Sequence, residues 1–165
     1  METPNELADA FADAVPFALR EMAGVEAAPR AAESAADSPV ADISAIINLS
    51  AVITEWRLVM LFPELTAAAL ARRVLASAAV ELTPEMVRDC MGEVANVVAG
   101  QAKSLLAGGP FHFTLSTPTV LTGGPQPAGA GRALVFDSDA GEFAVWVSPA
   151  RGGRGESVPQ REGSR

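Results

Sequence analysis

Residues 82–110, "LTPEMVRDCMGEVANVVAGQAKSLLAGGP", form the clearest single element in the chain and decide how the rest is arranged. Thr83 is placed to cap a helix and Pro84 to open it, while Gly108, Gly109 and Pro110 stop it. At about 1.5 Å per residue the helix is expected to run roughly 35 Å. On a wheel of about 100° per residue, Val87, Cys90, Met91, Val94, Ala95, Val98, Ala102 and Leu105 share one arc of roughly 160°. Glu85, Asp89, Asn96, Gly100 and Lys103 gather around Glu93, within about 80° of it on the opposite side. The pattern predicts a half-buried helix with Glu93 and Asn96 projecting together. Gly100 is costly there, since glycine in a helix interior loses about 1 kcal/mol against alanine. Its missing side chain leaves a notch, open either to a partner's backbone or to another element of the same chain.

Outward from this helix, the flanking segments read as alternating helix and strand. Upstream, "TPNELADAFADAVPFALREM" predicts a first helix with Thr3 as cap, Pro4 at the first position and Glu6 completing a capping box. Pro16 is expected to kink or interrupt it. Residues 24–40 are alanine-rich with two prolines and no period, which predicts a mobile connection with room for an exposed strand. "ADISAIINLS" and "EWRLVMLF" read as strands, the first because Ile43, Ala45, Ile47 and Leu49 alternate. "PELTAAALARRVLASAA" reads as a further helix. Downstream, "FHFTLSTPTVL" is strand-like, with Pro118 marking an edge or bulge. "GGPQPAGAG" reads as a linker between strands, and "RALVFDS" and "EFAVWVS" flank a hairpin turn. Residues 151–165 are polar and predict a disordered tail, leaving one domain over residues 1–150. The leading helix echoes the long one at an offset of about 80 residues: Asp13 falls opposite Glu93, but Pro16 falls opposite Asn96.

Composition narrows the function. Acids outnumber bases 20 to 12, a net charge of −8, which argues against nucleic acid as a partner. One cysteine and one histidine, Cys90 and His112, supply no ordinary zinc site and no internal disulfide. No signal peptide or membrane span is read, so the expectation is a cytoplasmic protein that engages no membrane. His112, on an expected strand, is read as non-catalytic, Trp146 as packed in the core or on a sheet face, and Cys90 as a small buried hydrophobe.

The run Asp89-x3-Glu93-x2-Asn96-x3-Gly100, on a capped helix leading into "STPTVLTG", resembles the CheX-type chemotaxis phosphatases, relatives of CheC and FliY. The likeness covers roughly residues 4 to 148. It implies an α/β (α+β) fold, a CheX-like single domain whose antiparallel sheet is packed with two long helices, paired into homodimers through sheet edges. It also implies dephosphorylation of the phospho-aspartate of a CheY-like response regulator. By the resemblance, Asn96 would orient the hydrolytic water and Glu93 would pair with the regulator's lysine. Asp89, Gly100 and Lys103 would lie on the contact surface. The chain would need no cofactor of its own, because the Mg²⁺ is the regulator's. The alternative is a receiver-binding adaptor or flagellar-switch-like domain without catalysis. "AVITEWRLVML" departs from the glycines that relatives often carry near the second strand's start.

Overall fold

The computed structural model describes residues 4–30, 38–76, 81–109, 112–124 and 130–150. The order is α1 (Pro4–Ala23), β1 (Ala27–Arg30), β2 (Ile43–Ser50), β3 (Glu55–Phe62), α2 (Glu64–Leu75), α3 (Pro84–Leu105), β4 (Thr114–Leu115), β5 (Thr119–Thr122), β6 (Arg132–Ser138) and β7 (Phe143–Pro149). The strands form one antiparallel sheet in the order β1-β6-β7-β3-β2-β4, with β5 also on β2. The two long helices are α1 and α3, and they pack against each other over the sheet; the shorter α2 lies against α3.

Period-2 alternation explains the main core. Ile43, Ala45, Ile47 and Leu49 on β2, Trp56, Leu58, Met60 and Phe62 on β3, and Phe143, Val145 and Val147 on β7 all join the cluster beneath the helices. Central β3 is buried on its other face too, where Val59 and Leu61 meet Val135, Ala144 and Ala41, with Ile46 and Trp146 partly covered. The chain reaches this outer face after β5, where Gly123 donates to the Asp42 carbonyl (2.6 Å) and accepts from Ser44 Oγ (2.6 Å).

Two sequence expectations are corrected here and one is made definite. The first helix runs unbroken through Pro16. Proline removes one backbone donor, but buried Ala14, Val15, Ala18 and Leu19 anchor the turns on either side. The exposed strand for which residues 24–40 left room is Ala27–Arg30, the edge strand β1 on β6. Gly24, at φ +61°, closes α1: its N–H donates to Arg20 O and that of Val25 to Leu19 O, which turns the chain directly into β1. Arg30 then reaches Asp137 (3.1 Å) and Glu142 (2.7 Å) across the sheet. Finally, Leu105, placed on the core arc by the wheel, is 50% exposed, as the last helical residue beyond the packed turns. The expected cap at Thr3 and the tail at residues 151–165 lie outside the described residues.

Both helices leading to the site are fixed at their starts by side-chain oxygens. Thr83 Oγ1 accepts the Met86 N–H (3.2 Å), as a cap should. α2 has no such bond from its own N-cap; Asp42, just ahead of β2, accepts the Glu64 N–H (2.8 Å) instead. No helix of the described residues is long and apolar enough to cross a membrane.

Candidate functional site

The site is built on α3. Its inner face buries Val87, Cys90, Met91, Val94, Ala95, Val98, Ala99 and Ala102, so the rod is held rigidly over the sheet. Its outer face carries Asp89, Glu93, Asn96 and Lys103, all exposed, with Gly100 half-exposed among them. Glu93 and Asn96 are three residues apart, which puts them side by side one turn along the same flank. Among the described residues neither side chain hydrogen-bonds or ion-pairs within the chain. An acceptor-only carboxylate and a carboxamide that both donates and accepts therefore stand together on an uncovered surface.

Two glycines on this helix do opposite things. A Cβ added at Gly100 would meet nothing within 4 Å, so among the described residues no other element packs into the notch. Gly92, which the sequence reading passed over, is fully engaged: a Cβ there would lie 3.1 Å from Val120 Cγ2 and 3.7 Å from Pro118 Cγ. Its lack of a side chain lets α3 approach β5 closely. The signal was present in the sequence as a small residue on the margin between the apolar and polar arcs.

This contrast gives a stability prediction. Gly100→Ala should raise unfolding free energy by about 1 kcal/mol, since the methyl gains helix propensity and strikes nothing. Urea unfolding of the two proteins measures it. A loss of stability would mean that the notch is filled within the chain.

Cys90, His112 and Trp146, also singled out, do not join this pair on the exposed flank. Cys90 is buried beside this surface, and its thiol pKa is raised, first by burial and then by the charges of Asp89 and Glu93. His112 is exposed and precedes β4 rather than lying on a strand, because the paired stretch begins only at Thr114. Trp146 lies half-buried on the outer sheet face. Among the described residues no group of three or more His, Cys, Asp or Glu is placed to hold a metal ion.

The fold, a seven-stranded antiparallel sheet packed with helices, is shared with chemotaxis proteins of known structure. The chain is similar in structure to the chemotaxis protein CheX from Desulfovibrio desulfuricans (TM-score 0.75, 24% identity, 88% of this chain and 99% of that one). It is also similar to a chemotaxis protein from Desulfovibrio vulgaris Hildenborough (0.74, 26%, 88% and 97%). A third similar chain comes from the CheX-CheY-BeF3-Mg²⁺ complex of Borrelia burgdorferi (0.67, 21%, 86% and 96%). No curated protein matches the chain. The family model described as "Chemotaxis phosphatase CheX" matches residues 43–134, from β2 through α3 to the start of β6. The chain belongs to the CheX family.

Proposed function

We propose that this protein dephosphorylates the phospho-aspartate of a CheY-like response regulator, as a single domain over residues 1–150. The observation that carries the reading is the pair Glu93 and Asn96, exposed one turn apart on a helix whose other face is locked into the core. Family membership supports it, and so does the similar Borrelia burgdorferi complex, which pairs CheX with CheY, BeF3 and Mg²⁺.

In this reading Asn96 enters the receiver's active site and holds a water in line with phosphorus. The amide donates to and accepts from that water without changing its own protonation. The water oxygen bonds to phosphorus while the bond to the aspartyl oxygen breaks, leaving a free carboxylate and inorganic phosphate. The chemistry asks mainly for positioning and charge stabilisation, so a neutral amide suffices and no strong base is needed. Mg²⁺ belongs to the receiver. Glu93 pairs with the receiver's lysine and sets the register of α3, while Asp89 and Lys103 border the contact and Gly100 lets the receiver's backbone approach. The resemblance adds homodimers formed through a sheet edge.

The test mixes the protein and Mg²⁺ with a phosphorylated CheY-type receiver from its own cell and follows loss of phosphate. Wild type should accelerate it and Asn96→Ala should not. Binding without acceleration by wild type would leave a receiver-binding adaptor as the better description, and equal acceleration by both would take Asn96 out of the chemistry. Glu93→Ala should chiefly weaken the encounter, raising KM more than it lowers kcat.

A further inference from the structure

The edge of the sheet beside α3 contains a distortion with a specific address. β4 pairs Leu115 with Leu49 and β5 pairs Thr119 with Ile46, both on β2. Between those pairs β2 has two residues, Ile47 and Asn48, whereas the other side has three, Ser116, Thr117 and Pro118. Ser116 is opposite Asn48: its N–H donates to Asn48 O (3.0 Å), and Asn48 N–H donates to Ser116 Oγ (2.9 Å). Thr117 and Pro118 together therefore face Ile47. This two-against-one count defines a β-bulge, a feature that re-aims side chains and ends regular pairing. Ser116 Oγ also donates to Thr117 O (3.0 Å), which pins the bulged turn, and Pro118 needs no ladder donor there. Thr117 is exposed.

The course of β5 along α3 leads the bulge toward the turn of Asn96. Thr122, at the far end of β5, shares a cleft with Thr83, Pro84, Val87 and Arg88 at the start of α3. Val120 and Pro118 sit against Gly92 in the middle. Passing along α3 toward its C-terminus thus passes along β5 toward the bulge. Asn96 is one turn beyond Gly92 and only about 40° around the helix from it. Its flank of the rod is the one toward which the chain runs from Val120 and Pro118 into the bulge.

We propose that the Ser116–Pro118 bulge is a second contact surface for the receiver, that Thr117 is the side chain it presents beside Asn96, and that Gly92 is the positioning residue that holds the bulge there. The inference rests on the proposed partnership with a receiver. It adds a docking wall that the acid–amide pair does not supply. The two surfaces meet as a corner, so the receiver is restrained in rotation about the α3 axis as well as along it. An amide that must align a water gains from that second restraint.

Binding and turnover test this separately. Affinity is read with a CheY-type receiver loaded with beryllofluoride and Mg²⁺, and turnover with the phosphorylated receiver. Thr117→Arg, at an exposed position, should weaken binding about tenfold with an unchanged melting temperature. Gly92→Ala drives its methyl toward Val120 and should lower kcat about tenfold by shifting the wall beside Asn96. Adding Val120→Ala removes the opposing methyl and should restore kcat, which a general loss of fold would not allow. Unchanged affinity in Thr117→Arg overturns the proposal, and so does a changed oligomeric state with unchanged affinity, which would make this edge a self-contact. Failure of the Val120→Ala rescue removes Gly92 from its positioning role. A wild-type protein that binds the loaded receiver but does not speed phosphate loss would sink the phosphatase reading alone, since affinity still judges this surface.

Discussion

Asn96→Ala should reduce acceleration of receiver dephosphorylation by about a hundredfold, the range seen when one preorganised polar contact to a reacting centre is deleted. That corresponds to about 2.7 kcal/mol of transition-state stabilisation at about 1.36 kcal/mol per factor of ten. The loss should fall on kcat and leave receiver affinity close to wild type, because the amide orients a water rather than anchoring the partner. The fold should persist. Asn96 is exposed, has no bond inside the chain among the described residues, and alanine is a better helix former. Asn96→Asp supplies the sharper control. It keeps the size and accepts a hydrogen bond but cannot donate, and it brings a negative charge toward a phosphoryl group, so it should be at least as poor as alanine. Single-turnover phosphate release, with unfolding curves for each variant, checks both. An Asn96→Ala protein that retained wild-type kcat would leave the amide without a role in the chemistry.

Phe143→Ala should be the most damaging single change to the fold. Phe143 is fully buried and stands between two other rings, with centroids 5.7 Å from Phe62 and 5.2 Å from Phe136. It lies on β7, which is paired with β6 on one side and β3 on the other. Neither neighbour can close in, because both are held by ladder hydrogen bonds, so the deleted ring leaves a cavity rather than a collapse. Truncations of this kind cost about 3–5 kcal/mol. For a domain of this size that lowers the melting temperature by about 10 °C or more. Urea unfolding should show a lower midpoint with an unchanged slope. Phe143→Leu should lose markedly less, since most of the volume remains. Equal losses for both would show that ring stacking, not filled space, is what Phe143 contributes.

The parts of the fold carried by periodicity and punctuation were legible in the sequence. Thr83, Pro84 and the Gly108–Gly109 stop bracket α3, and alternation at Ile43 through Leu49 marks β2. The polar stripe on α3 was equally readable, because burial there follows the 3.6-residue period closely. What escaped depends on partners distant in sequence. β1 has weak strand composition and exists because β6 and the carboxylates of Asp137 and Glu142 receive it. The capping of α2 by Asp42 joins residues 22 apart, beyond any local capping pattern. Gly92 looked like one more small residue until Val120 was found against it. Pro118 did mark its bulge, but the identity of the strand opposite was not local information.

The pairing of β1 with β6 sets when this protein can become complete. Ala27 finds its partner in Ser138 and Arg30 in Val135, so an early strand waits for more than a hundred later residues. Central β3 waits similarly for β7. During synthesis α3 therefore leaves the ribosome before the sheet beneath it can close, with its apolar side still wet. Such long-range closure makes for slow maturation and a period of vulnerability to aggregation. A nascent chain halted before β7 should carry Glu93 and Asn96 yet lack the rigid platform that aims them.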